Sequence, residues 1–307
     1  MRSLLSCSVA CLAAAWTACA DVMIQNARFR LVVGDDAVVR SLRLKATGEE
    51  LLDLREPTPL FSVTQPRPFN NEIKLAYPNA RTTYPANRLR RDGDRLVVGF
   101  EIAPYEAAID VKMTDDYVAF TLADFILTEK SYPLCPTTTV PLDFTAPPVD
   151  EFCLMQLPVR KRANFGEWLN VQWDDAAAVG VFATSEHALV SSERRADCRV
   201  MRAVADRSVK LRGTGAALVV ETGGDAILDR IAALENDYGL PQGVANRRHP
   251  LVNASIYFAS DFSPANAEKH IDAAKRGGFR LMLISAARFF DDQRGDWSFD
   301  RAAYPNG

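Results

Sequence analysis

Between Asp21 and about Thr222 the chain repeats a two-residue hydrophobic period, and no other feature limits its fold so strongly. Leu96, Val98, Phe100 and Ile102 stand at every second position. Side chains of a strand alternate between its faces, so this spacing sets all four against a core. Ile109, Val111 and Met113 alternate in the same way with Asp110, Lys112 and Thr114, and Val118, Phe120 and Leu122 follow. The joints are turn formers: Gly34-Asp35-Asp36, Arg91-Asp92-Gly93-Asp94 and Thr114-Asp115-Asp116. Further strands are expected near 24–33, 38–45, 58–64, 152–159, 168–173, 178–183, 199–204, 208–212 and 216–221. Many short strands with almost no helix predict a mainly β fold, a large antiparallel β-sandwich over 21–224. The proline-rich stretch from Pro133 to Pro148 is expected to be a long surface loop or edge segment.

Beyond Thr222 the period changes. In Asp225–Tyr238, Ile227, Ile231 and Leu234 share one helical face, with Gly239 as a stop and Pro241 after it. Residues 240–250 hold two prolines, one glycine and two arginines, so 225–250 reads as a helix and a linker. A β-α-β unit follows within 251–307. Ser255–Phe258 is its first strand, and Ser263 caps a helix that opens on Pro264. Ala267, Ile271 and Ala274 line the helix's buried face, and Gly277-Gly278 ends it. Leu281–Ala287 is an almost continuous apolar run, expected as a strand covered on both faces.

The first twenty residues read as an export signal. Arg2 precedes an apolar run from Leu4 to Trp16, and Ala18-Cys19-Ala20 fits a signal-peptidase site, so cleavage is expected after Ala20. The run is too short to span a bilayer. The product is then periplasmic or extracellular; lipidation at Cys19 is the alternative, with Trp16 where such signals carry an aliphatic residue. Lys and Arg number 36 against 39 Asp and Glu, a net charge of -3, which argues against nucleic acid as a partner. Arg88-Leu89-Arg90-Arg91 and Arg160-Lys161-Arg162 read as solvated strand ends.

Of six cysteines, Cys7, Cys11 and Cys19 belong to the export segment. Cys135, Cys153 and Cys198 remain, and they allow buried thiols or at most one bridge. The three histidines, His187, His249 and His270, complete no zinc pattern with them. No metal or other cofactor is expected, and His187 and His270 read as surface residues. No glycine-rich phosphate cradle follows a strand. Nothing in the pattern fixes an oligomeric state.

The C-terminal segment reads Asp261-Phe262-Ser263, a helix ending Ala274-Lys275-Arg276-Gly277-Gly278-Phe279, and a strand. Gly295-Asp296-Trp297-Ser298-Phe299-Asp300 and Tyr304-Pro305-Asn306-Gly307 follow. In this order they resemble the start of the (β/α)8 barrel of α-galactosidase-like glycoside hydrolases, families 27, 31 and 36 and their uncharacterised relatives. In those families a K-x-x-G-F helix end leads into the second strand, and a G-D-W-x-x-D … F-P-x-G loop comes next. Tyr304 here replaces the usual phenylalanine. Upstream, Asn164-Phe165-Gly166-Glu167-Trp168-Leu169-Asn170-Val171-Gln172-Trp173-Asp174-Asp175 and Ala178-Val179-Gly180-Val181 resemble inner strands of the galactose-mutarotase-like supersandwich that precedes such barrels.

The resemblance implies that 251–307 begin a TIM-type barrel and that the substrate is an oligo- or polysaccharide cleaved at its glycosidic bonds. The two carboxyl groups of such enzymes sit near the fourth and sixth strands of a barrel of about 250 residues. On that basis the reactive pair lies outside this chain, the chain is a front portion, and alone it is expected to be inactive. Barrel sites lie at the C-terminal ends of strands. Tyr257, Asp261, Asp291, Asp292, Asp296 and Trp297 are therefore the candidate substrate contacts, with Trp297 stacking on a sugar face and Asp296 accepting hydroxyls. The competing readings are a structural Gly295-Asp296-Trp297 loop and a solvated Asp291-Asp292. Trp168 and Trp173 are expected in the sandwich core. A non-catalytic carbohydrate-binding or cell-surface protein is the alternative, and a barrel enzyme acting on another bond is a third.

Overall fold

The computed structural model describes residues 21–66, 81–100, 105–127, 149–252 and 254–285. The export segment, Ile102, the stretch 133–148 with Cys135, and Asp291, Asp292, Asp296 and Trp297 with their loop motifs lie outside the described residues. The chain divides into two compact units, Met1–Pro241 and Gln242–Gly307.

In the first unit β1 (Val22–Gln25), β2 (Phe29–Val33) and β3 (Val39–Leu44) form a three-stranded antiparallel sheet. The run 24–33 is thus a hairpin rather than one strand. Asn26 Oδ1 accepts the amide hydrogens of Arg28 and Phe29 at 2.9 and 3.0 Å, a local bond that outcompetes continued pairing.

The remaining strands are β4 (Ser62–Pro66), β5 (Arg81–Asp92), β6 (Arg95–Phe100), β7 (Tyr105–Met113), β8 (Val118–Leu127) and β9 (Glu151–Arg160). After them come β10 (Asn164–Gly166), β11 (Val171–Trp173), β12 (Ala178–Ala183), β13 (Ala188–Arg194), β14 (Cys198–Asp206) and β15 (Gly215–Glu221). They make one twelve-stranded sheet in the order β10-β11-β12-β15-β8-β7-β6-β5-β4-β9-β14-β13. The sheet folds on itself, so that β8 and β15 lie against β9, and β12 against β13 and β14. The corner is β5: Arg81–Pro85 pair with β4, Ala86–Asp92 pair with β6, and the register shifts between Ala86 and Arg88. A bulge of this kind lets one strand serve both layers of a sandwich. The mainly β, antiparallel sandwich-type architecture is the one the alternation implies.

Phe61, Phe100, Phe120 and Phe152 are fully buried between the layers. β15 is buried at every position, and α1 (Ala226–Tyr238) packs on it. Ile227, Ile231 and Leu234 are the buried face of α1, and Gly239 ends it in the left-handed region at φ 62°.

Some strands differ from expectation. Residues 208–212 form no strand: Asp206 Oδ1 accepts the Ser208 amide at 2.7 Å and its hydroxyl at 2.6 Å, turning the chain and leaving Val209 exposed. β13 and β5 are additional. β13 is a sheet edge, where Ser191, Ser192, Glu193 and Arg194 suit a strand with one open side and blur its period. Cys153 and Cys198 are free, buried thiols whose ionisation burial makes harder. Cys153 lies opposite Val204, six residues along β14 from Cys198, about 20 Å, so these two cannot pair.

One polar latch ties α1 to the β7–β8 turn. The buried Tyr117 hydroxyl donates to Asp237 at 2.5 Å, and Lys112 Nζ lies 3.0 Å from the same carboxylate. The ammonium also sits 4.9 Å from the centre of the Tyr238 ring. Burial, and then the Asp237 carboxylate, push the Tyr117 phenol well above its ordinary 10.0. The fold therefore holds the neutral phenol, and its contribution is whole below pH 10 and lost as pH rises through the folded value. Tyr117→Phe is expected to destabilise by about 2 kcal/mol at neutral pH. It should also flatten the alkaline decline in stability, as measured by urea unfolding across the pH range.

The second unit contains α2 (Gly243–Arg247), within the stretch expected as linker, then β16 (Ile256–Ala259), α3 (Ala267–Arg276) and β17 (Leu281–Ile284). β16 and β17 pair in parallel, Ile256 with Leu281 through Ala259 with Ile284. α3 starts at Ala267 with Asn266 as its cap residue, later than the expected Ser263-Pro264 start. Its inward side carries Ala274 and His270, whereas Ile271 is exposed. β17 is not covered on both faces. Ile256, Phe258 and Leu283 share one face of the strand pair and are 52%, 60% and 55% exposed. Among the described residues no helix is long and apolar enough to cross a membrane.

Candidate functional site

The chemistry of the second unit gathers where β16 ends. Alternation sends Ile256 and Phe258 to the open face, so Tyr257 takes the opposite face, toward α3. Its hydroxyl lies 3.0 Å from His270 Nδ1, and its ring meets Phe279 edge-on at 5.7 Å. On the far side of the imidazole, His270 Nε2 is 3.0 Å from Asp261 Oδ1. Phe262 lies 5.9 Å from the imidazole, centre to centre. The loop carrying the carboxylate is pinned as well. Asn266 Nδ2 donates to the Asp261 carbonyl at 2.7 Å, and Asn266 Oδ1 accepts the Ser263 amide at 2.7 Å.

Two of the expected contacts, Tyr257 and Asp261, are thus joined through a third residue. His270, expected at the surface, has a side chain only 11% exposed, while the Asp261 side chain is 67% exposed. The arrangement presents a carboxylate to solvent and backs it with a fixed imidazole. Such a group can accept hydrogen bonds from a polyol. Among the described residues no cluster of three His, Cys, Asp or Glu could hold a metal ion.

A second feature lies on the sandwich. Trp168, expected in the core, is 100% exposed. It sits on a 3₁₀ turn, Glu167–Leu169, between β10 and β11. Asn170 closes the turn at φ 49° and donates from Nδ2 to the Val181 carbonyl at 3.2 Å. This turn takes Trp168 out of the alternation. Trp173 stays half-buried over Gly224, where any Cβ would lie 2.4 Å from the indole. Near Leu169 is a groove of about 540 Å³ floored by Phe182, Ile231, Leu234 and Tyr238, with Thr184 and Glu186 at its polar wall. Since Trp168 buries nothing, Trp168→Ala should change unfolding free energy by no more than about 0.5 kcal/mol in urea titrations.

A smaller cavity of about 270 Å³ is lined by Asp53, Arg55, Arg195, Asp197 and Cys198. Arg55 is taken up by Asp53 at 2.5 Å and Asp197 at 2.6 Å. Its hydrogen bond holds the Asp53 carboxyl down at about 2. With its charge already matched, this cavity has no anion-binding character.

No protein-family model and no curated protein matches the sequence. The solved structures that align with it include alpha-N-acetylgalactosaminidase NagBb from Bifidobacterium bifidum in a GalNAc complex. That pair is 11% identical, covers 86% of this chain and 52% of the other, and has a TM-score of 0.45. A GH31 family sulfoquinovosidase from E. rectale is 10% identical over 93% of this chain and 45% of its own, with a TM-score of 0.37. An alpha-mannosidase from Enterococcus faecalis V583 is 9% identical over 70% and 31%, with a TM-score of 0.30. The chain spans about half the length of the first two proteins. At these values the likeness settles neither family nor activity.

Proposed function

We propose that this chain forms the front of an exported glycoside hydrolase, a β-sandwich followed by the opening β-α-β unit of a (β/α)8 barrel. The observation that carries the reading is the bare apolar face of β16 and β17. Parallel strands are stable when both faces are covered, and α3 covers one face alone. Burying an exposed Ile, Phe or Leu is worth about 1.5–3 kcal/mol each, so this face favours completion by further strands. A barrel supplies that cover by packing side chains around its axis. In this reading Phe258 points to the axis and Tyr257 to the helix layer. Asp261 stands on the rim, and Asp291, Asp292, Asp296 and Trp297 are further substrate contacts.

The substrate is a carbohydrate, the export signal is removed after Ala20, and the two reactive carboxyl groups belong to later strands. The product of the complete reading frame, offered a panel of aryl glycosides, is expected to release the aryl alcohol from at least one. Residues 1–307 alone are expected to release none. Ordinary turnover by 1–307 would sink the reading, as would failure of a complete product bearing about six more β-α units.

The exposed Trp168 favours the second reading, a non-catalytic carbohydrate-binding protein that stacks a sugar on the sandwich. Co-sedimentation with insoluble polysaccharides separates the two. Trp168→Ala leaves sedimentation unchanged if Asp261 and the barrel rim hold the glycan, and abolishes it if the sandwich does.

A further inference from the structure

We infer that Asp261 and Tyr257 select a single tautomer of the neutral His270 ring, and that His270 is thereby the positioning residue for the Asp261 carboxylate that meets carbohydrate hydroxyls. The second half of this inference rests on the glycoside-hydrolase reading; the first half does not.

The hydrogen-bond inventory leaves one arrangement for the neutral ring. An ionised carboxylate only accepts, so His270 Nε2, at 3.0 Å from Asp261 Oδ1, must carry the hydrogen. The neutral ring then has Nδ1 as an acceptor, and the Tyr257 hydroxyl at 3.0 Å is the donor it needs. The opposite tautomer would place two acceptors against each other at Asp261. It would also leave Tyr257 no acceptor on the ring. Tyr257 and Phe262 flank the imidazole, each 5.9 Å from it centre to centre, and limit its rotation.

Packing alone does not account for the outer half of this chain of bonds. The Tyr257–His270 bond already staples β16 to α3. An additional contact to a largely exposed carboxylate adds little to stability, because solvent screens it. What it does add is direction: Asp261 Oδ1 is tied to a buried ring on a helix, in a loop that Asn266 pins from the other side. A hydroxyl-binding carboxylate needs that fixed aim, because a loose one loses part of its hydrogen-bond energy to ordering.

The test uses residues 1–307 with ¹⁵N-labelled histidine. The chain has only three histidines, so His270→Gln assigns the His270 signals by their disappearance. Long-range ¹⁵N–¹H spectra of the neutral His270 ring are expected to show one tautomer, with the hydrogen on Nε2 and Nδ1 bare. Asp261→Ala should convert this to a mixture of both tautomers. An Nδ1-protonated ring in the wild type, or a His270 spectrum that Asp261→Ala leaves unchanged, overturns the inference whatever the enzyme does.

The positioning role is read on the product of the complete reading frame. His270→Leu is expected to raise KM about tenfold with little change in kcat, the loss of one hydrogen bond to a charged group. His270→Gln, which keeps a donor for Asp261, should restore most of that loss, whereas a purely structural role would not be rescued. Wild-type KM in His270→Leu overturns the positioning role. Absence of hydrolysis by the wild-type product sinks the functional reading instead, and the spectra still decide the tautomer.

Discussion

Alanine in place of Phe152 is expected to cost about 3–5 kcal/mol of folding stability, measured as a lowered urea midpoint with unchanged slope. Phe152 lies on β9, fully buried, where the two layers of the folded sheet meet. Its ring is 6.2 Å from Phe61, 6.5 Å from Phe100 and 5.6 Å from Phe125, contacts that reach from β9 to β6 and β8. Phe61 in turn meets Phe120 at 6.0 Å. Removing the ring loses its transfer energy and leaves a cavity that three aromatic neighbours from different segments cannot jointly close. Domains are stable by only about 5–15 kcal/mol, so the loss is a large fraction of the whole. Phe152→Leu should lose much less. A drop below about 1 kcal/mol for Phe152→Ala would mean that the layers do not meet at this cluster.

The sandwich was legible where one face of a strand is buried and the other wet. The half of β7 from Ile109 to Lys112 is that case, whereas β6 is buried on both faces from Leu96 to Phe100, and the turns before β6 and after β7 carry Asp. β13 was illegible because an edge strand has no need of strict alternation. The run 208–212 alternates Val209, Lys210 and Leu211 like a strand, yet the Asp206–Ser208 hydrogen bonds turn the chain first. Trp168 shows the same competition. Apolar neighbours suggest a strand, while Gly166 and Asn170, four residues apart, bracket a turn and were the available signal.

The candidate site was half legible. A rim position at the end of β16 follows from the β-α-β pattern and yields Tyr257 and Asp261. The pattern does not say that Tyr257 faces α3, because Ser255–Phe258 is too short to show which alternate residues are covered. His270 is thirteen residues from Tyr257 and meets it only through the crossover. Hydrophobicity put Ile271 on the inward face of α3. Instead the hydrogen bonds of its neighbour turn the helix so that His270 faces inward and Ile271 faces solvent.

If Ile256, Phe258 and Leu283 form the inner wall of a barrel, a charge at Phe258 is tolerated only while that wall is open, and Phe258→Asp places one there. In residues 1–307 Phe258 is 60% exposed, so the substitution should shift stability by no more than about 0.5 kcal/mol. In the product of the complete reading frame the same carboxylate would be enclosed without a partner, an uncompensated buried charge that costs about 3–5 kcal/mol. Urea unfolding of wild type and Phe258→Asp in that product is the decisive measurement. A loss of this size is the expected result; equal stability would contradict the barrel.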